Sequence, residues 1–178
     1  MHTIEKEEMI VAETHRLLLA KVNLKDAPFF VDLMNSPKWL QFIGDKNIRS
    51  VANARTHLKK TILKSYADNE FGFYKVLLKI ENNKTIGISG MVKRETLDEV
   101  DMGFGFLPEY EGKGYGYESS MAVLDLAKNT FNLKSISAIT NPDNSNSIHL
   151  IKKLGMTFQE MVKPFDDDDE LMLFSKTL

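Results

Sequence analysis

Gly112-Lys113-Gly114-Tyr115-Gly116, set between a strand-like run from Val100 to Leu107 and a helix-like run from Tyr117 to Lys128, is the stretch on which the fold turns. Three glycines at alternate positions allow backbone angles that other residues avoid and let the chain come close to a ligand. The amides that follow open a helix, where unpaired N–H groups and the positive end of the dipole favour an anion. An ordinary tight strand-to-helix turn would use the same glycines. Two other phosphate motifs fail here. A nucleoside triphosphate loop needs Gly-Lys followed by Ser or Thr, whereas Lys113 is followed by Gly114. The dinucleotide fingerprint needs a glycine three positions after the second, whereas Gly114 and Gly116 lead into Tyr117, Glu118 and Ser119.

Outward from the loop, periodicity predicts seven strands and four helices. Arg16 to Val22 reads as a strand, Leu24 to Met34 as a helix broken by Pro37, and Ser50 as the N-cap of a helix carrying Ala54, Leu58, Ile62 and Tyr66. Phe71 to Ile80 and Lys84 to Val92 form a hairpin about Glu81-Asn82-Asn83, followed by the strand Val100 to Leu107. After the loop come a helix to about Asn129, a strand at Ser135 to Thr140, a helix from Asn144 to Leu154 stopped by Gly155, and strands at Met156 to Lys163 and Leu171 to Lys176. Meandering strands followed by strand-helix-strand units give an α+β fold with a mixed sheet. No linker divides the chain, so residues 1–178 are expected to form a single domain.

Composition narrows the classes. Twenty-three basic against 25 acidic side chains give a net charge of -2, with no overall attraction to nucleic acid or an acidic membrane surface. The absence of cysteine removes disulfides, thiol nucleophiles and Cys-bound zinc, and no apolar run is long enough to span a bilayer. Cytoplasm is the expected compartment. The acidic run Asp166 to Asp169 with Glu170 lacks the spacing of a calcium loop and reads as a solvated hairpin turn, so no metal is expected.

Three signatures in order resemble the GNAT acetyl-CoA-dependent N-acetyltransferases, in the branch that contains the ribosomal-protein N-terminal acetyltransferases. They are His15-Arg16-Leu17-Leu18-Leu19 with Asp26-Ala27, Asp101-Met102-Gly103-Phe104 running through Leu107-Pro108-Glu109-Tyr110-Glu111 into the glycine loop, and Asn141-Pro142-Asp143-Asn144-Ser145-Asn146-Ser147-Ile148 ending in Lys153-Leu154-Gly155-Met156. The resemblance implies a GNAT fold whose fourth and fifth strands splay apart to admit acetyl-CoA. It implies a cosubstrate site at Glu111, Gly112, Lys113, Gly114, Tyr115 and Gly116. The backbone of Phe106 and Leu107 would pair with pantetheine like an added strand, and Asn144 would hydrogen-bond the same arm or serve as a plain helix N-cap.

Amide formation from a thioester needs a neutral amine, a donor for the developing oxyanion and a proton for the departing thiolate. The resemblance points to Ser147 as a proton relay, with a bare helix-turn role as its alternative. Asp101 stands where the family often has Glu and is a candidate water-mediated base, or else a solvated charge at a strand's start. Tyr110, Tyr115 and Tyr117 are further donors or packing groups. Trp39, Phe42 and Asp45 lie where the family builds part of its acceptor pocket, with a place in the core as the alternative for Trp39 and Phe42, and Lys93-Arg94 would meet an acidic substrate or cap a strand in solvent. The implied activity is direct acetyl transfer to a primary amine, a protein N-terminus or a small molecule, by a monomer or homodimer. Two departures keep alive a catalytically weak acyl-CoA sensor as the alternative: Glu111, where the family has Gln or Arg, and Ile151, where many members carry a proton-donating tyrosine.

Overall fold

The structure, a computed structural model, describes residues 8–167 and 169–178. Eight strands form one sheet in the order β1-β2-β3-β4-β5-β6-β8-β7. They are β1 (Ile10–Glu13), β2 (Leu17–Lys21), β3 (Phe73–Leu78), β4 (Lys84–Val92), β5 (Asp101–Phe106), β6 (Ser135–Thr140), β7 (Thr157–Val162) and β8 (Leu171–Thr177). Every neighbouring pair is antiparallel except β5 and β6. The helices are α1 (Ala27–Met34), α2 (Pro37–Phe42), α3 (Val51–Lys60), α4 (Ile62–Asn69), α5 (Tyr115–Asp125) and α6 (Ser145–Lys153), and α5 runs on into a π-helical turn, Leu126–Thr130.

Among the described residues, eight strands and six helices exceed the seven and four expected, and each excess has a local cause. β1 is four residues of half-exposed edge strand, too short for its alternation to stand out. α2 begins at Pro37, which costs nothing at the first helical position because that N–H has no intrahelical partner. A proline that ends one helix here starts the next. The Ser50-capped helix divides at Thr61, whose φ of -118° and ψ of -86° leave helical space, and whose hydroxyl donates to the His57 carbonyl. The Ser50 cap itself is present, its hydroxyl accepting from Asn53 N–H at 3.0 Å.

Alternation along β3 turns Tyr74 and Val76 to one face of the sheet and Phe73 to the other. The first face meets α5 and α6 through Val123, Leu124, Ile151 and Leu154. The second joins Val22 and Ile88 to Phe30, Leu33, Ala54 and Leu58 of α1 and α3. The β3–β4 hairpin turns through Asn82 and Asn83, both at positive φ, and Gly155 ends α6 at φ +84°.

The feature that positions the site is the β5–β6 junction. β5 stays with β4 as far as Phe106, and β6 stays with β8 as far as Thr140, but β5 and β6 share only the pair Asp101 and Ser137. Beyond that point the two strands follow different partners and part, as the fourth and fifth strands were expected to do.

Candidate active site

A cleft of about 940 Å³ opens where β5 and β6 part. Its floor is β5, its two ends are the glycine loop and the start of α6, and α2 and the β7–β8 loop wall its mouth. Along β5, Gly103 and Gly105 are spaced for close approach: a Cβ on Gly105 would sit 2.9 Å from the Trp39 ring, and one on Gly103 would lie 3.2 Å from Phe73. Small residues here let the Trp39 ring of α2 and the Phe73 ring of β3 seat against the strand. The edge of β5 beyond Asp101 has no neighbouring strand among the described residues. Leu107 N–H is spent on the Ile86 carbonyl at 3.0 Å, on the β4 side. Backbone groups alternate in an antiparallel ladder, so those of Phe106 face the open edge.

The strand ends in a 3-10 turn, Pro108–Tyr110, in which Glu111 N–H donates to the Pro108 carbonyl at 3.2 Å. Gly112 and Gly114 then take φ of +71° and +84°. Gly114 is the N-cap of α5, and no side chain caps it. The first intrahelical bond runs from Glu118 N–H to the Gly114 carbonyl, so the amides of Tyr115, Gly116 and Tyr117 precede the helix's own ladder. Gly116 has a packing reason of its own, since a Cβ there would lie 3.0 Å from Leu150 of α6.

Two carboxylates border this cradle and each is paired. Glu111 meets Lys38 of α2 at 2.5 Å. Glu118 accepts from Arg16 Nε at 2.6 Å, from Arg16 N–H at 2.8 Å and from the Thr14 hydroxyl at 2.7 Å. Burial pushes the Glu118 carboxyl up, but these hydrogen bonds outweigh it and hold the group below the usual range. Arg16 also donates to the Lys113 carbonyl at 3.0 Å and lies over the Tyr115 ring, 4.5 Å from its centroid. Lys113 itself turns back over Tyr110, 5.8 Å from the ring centre, and Lys153 sits over Tyr117 at 4.3 Å. The Tyr110 hydroxyl donates to Glu81 at 2.7 Å.

At the far end, Asn144 caps α6 by accepting from Ser147 N–H at 3.2 Å, which leaves its amide group to donate. The Ser147 hydroxyl lines the cleft and bonds to no other described residue. Ile151 lies 2% exposed and lines the cleft with an aliphatic side chain that can donate no proton.

Asp101, at the point where the strands part, is no solvated charge. It is 3% exposed, lines the cleft, and accepts from Arg94 Nε at 3.0 Å. Burial raises its carboxyl to about 6 against the pull of Arg94. Arg94 in turn lies over Phe165, 5.1 Å from the ring centre, while Lys93 donates to the Leu97 and Asp98 carbonyls. Trp39 and Phe42 line the cleft, but Asp45 stands outside its lining, held by Arg49 at 2.5 Å. The acidic loop is more than a solvated turn. Phe165 and Asp167 line the cleft mouth, and the Thr96 hydroxyl anchors the Pro164 carbonyl at 3.0 Å, while Asp168 lies outside the described residues. Among the described residues no group of three or more His, Cys, Asp or Glu could hold a metal ion, and no helix is long and apolar enough to cross a membrane.

Comparison with known proteins agrees with this geometry. The family model "Acetyltransferase (GNAT) domain" matches residues 16–157. The uncharacterized N-acetyltransferase p20 of Bacillus licheniformis is 23% identical over 155 residues, covering 86% of this chain and 85% of its own. An acetyltransferase structure from Agrobacterium tumefaciens str. C58 superposes with a TM-score of 0.79 at 21% identity, covering 100% of this chain and 99% of that one. The ribosomal L7/L12 alpha-N-protein acetyltransferase RimL, solved in complex with coenzyme A, gives 0.78 at 14% identity over 95% and 98% of the two chains.

Proposed function

The chain belongs to the acetyltransferase (GNAT) domain family, and from that premise we propose that it works as one catalytic domain moving an acetyl group from acetyl-CoA directly to a primary amine. The observation that carries this reading is the meeting, in one cleft, of a β5 edge that beyond Asp101 has no partner strand among the described residues, an α5 N-terminus without a side-chain cap and a buried carboxylate of raised pKa. Bound acetyl-CoA supplies the thioester. The free amides after Gly114 take its diphosphate, the backbone of Phe106 pairs with pantetheine, and the Asn144 amide donates to the same arm. Glu111 and Leu107 do not donate, their own N–H groups being spent on the Pro108 and Ile86 carbonyls.

In the transfer the amine nitrogen bonds to the acetyl carbon as the carbon–sulfur bond breaks. Asp101 takes one proton from the incoming ammonium, directly or through water; once the C–N bond has formed, the nitrogen gives up its second proton to the Ser147 hydroxyl, which passes its own to the departing sulfur. A base titrating near 6 is ionised at pH 7 and able to accept that proton. Holding the two reactants together supplies on the order of 7–11 kcal/mol of the barrier, so the chemistry survives the loss of a tyrosine at Ile151. Trp39 and Phe42 wall the acceptor.

The acceptor is a weakly basic amine such as a protein α-amino group. Deprotonating an α-amino group near pH 7 costs about 3 kcal/mol less than a lysine. RimL, which shares the fold, carries the description of an alpha-N-protein acetyltransferase. Comparing acetylated protein N-termini and small amines in cells with and without the chain tests this. A set of N-termini acetylated only when the chain is present supports it, whereas a change confined to lysine side chains or small-molecule amines counts against it.

A further inference from the structure

We propose that Lys38 is the residue that makes a phosphate loop beginning with a carboxylate usable: it neutralises Glu111 so that the diphosphate of CoA meets no uncompensated charge at the loop's entrance. The inference rests on reading the glycine loop as the diphosphate site. Glu111 immediately precedes Gly112 and lines the cleft, as Lys38 does, and their Nζ and Oε2 atoms lie 2.5 Å apart.

Glu111 brings nothing else to an anion. Its N–H is spent on the Pro108 carbonyl, so its effect on a ligand at the loop is that of its charge. Left unpaired, that charge would repel a diphosphate at the loop's entrance, the more so because the Glu111 side chain is only 29% exposed. The compensating cation is held by built structure. α2 starts at Pro37 behind Ser36, whose hydroxyl donates to the Leu33 carbonyl at 2.6 Å. The next residue, Trp39, packs on Gly105 of β5. Lys38 is thereby carried to the loop by a helix seated on the cleft floor. The arrangement at the other border is the same in kind: Glu118, in the first turn of α5, is covered by Arg16. Both acids beside the cradle are therefore matched by cations from the N-terminal half of the chain.

The test is a double-mutant cycle on the full chain: wild type, Lys38→Met, Glu111→Gln and the double variant, each titrated with CoA and with pantetheine, which lacks the diphosphate. Lys38→Met keeps the methylene packing, and thermal melts check that every variant is folded. The expected result is about tenfold weaker CoA binding in Lys38→Met, recovery to within about threefold of wild type in the double variant, and pantetheine binding unchanged throughout. The inference is overturned if Lys38→Met binds CoA as wild type does, if the double variant stays as weak as Lys38→Met, or if pantetheine binding falls in parallel. A wild type that binds CoA no more tightly than pantetheine would instead remove the diphosphate reading on which the inference rests.

Discussion

Asp101 of β5 and Ser137 of β6 are the single ladder pair between those strands among the described residues, and Asp101 is also the buried carboxylate of the cleft. The strands part at a carboxylate that burial makes harder to ionise. Asp101→Asn should lower turnover about 10²- to 10⁴-fold, the usual worth of an acid-base group. The wild-type rate should rise with pH through about 6, where the carboxylate forms, and the Asn variant should lose that limb. Steady-state rates between pH 5 and 8 check both.

The same group predicts a stability effect of opposite sense. Its folded pKa of about 6 lies above the unfolded value of 3.8, so the folded chain holds the proton more tightly. That stability is complete below about pH 4 and is lost as pH rises through 6. The stability of Asp101→Asn relative to wild type should therefore climb over this window, by about 3 kcal/mol at most. Urea unfolding of the two proteins at pH 4, 6 and 8 measures it, and a difference that does not change with pH counts against the buried carboxylate.

Ser147→Ala removes a hydroxyl that bonds to no described residue while leaving the backbone N–H that Asn144 caps. Turnover should fall at least tenfold and CoA affinity by less than twofold. An unchanged turnover number ends the proton-relay role.

Arg16 bonds Glu118, Lys113 and the face of Tyr115 together. In Arg16→Ala the Glu118 carboxylate stands uncovered at the N-terminus of α5, where it competes with an anion for the same field. CoA should bind about tenfold more weakly, measured by titration calorimetry, with the lost affinity partly recovered on changing Glu118 to Gln as well.

Lys75 is 1% exposed, and its ammonium bonds Asp26 at 3.0 Å and Glu8 at 2.6 Å, tying β3 to the turn before α1. Lys75→Ala should cost about 1–3 kcal/mol in urea unfolding, because it leaves the part-buried Asp26 carboxylate without its cation. Lys75→Met, which refills the volume, should cost less.

How far the sequence revealed this site follows from how local each cause is. The glycine loop was legible because Gly112 and Gly114 adopt angles their own type permits, and the Ser50 and Asn144 caps act within three residues. The helix α2 was hidden because Pro37 reads as a breaker unless one knows that the helix starts there. Asp45 reads from the sequence as available to a substrate, but Arg49, four residues on in the same loop, holds it. Charge pairs across the chain left no trace in the pattern. Nothing in the spacing joins Lys38 to Glu111 or Arg16 to Glu118, since those meetings depend on how α2 and the β1–β2 turn seat against the sheet. The burial of Asp101 was invisible for the same reason: only the assembled cleft takes it out of water.

The most direct test is a thiol-release assay with acetyl-CoA and a panel of primary amines that includes peptides with free N-termini, run on wild type and on Gly114→Val. Gly114 stands at φ +84° with Arg16 3.1 Å from a Cβ position, so valine distorts the cradle at its centre. Release of one CoA per acetylated amine by the wild type, with its loss in a folded Gly114→Val, is the predicted result. Acetyl-CoA binding without release on any amine, or release undiminished by the valine, would contradict the account.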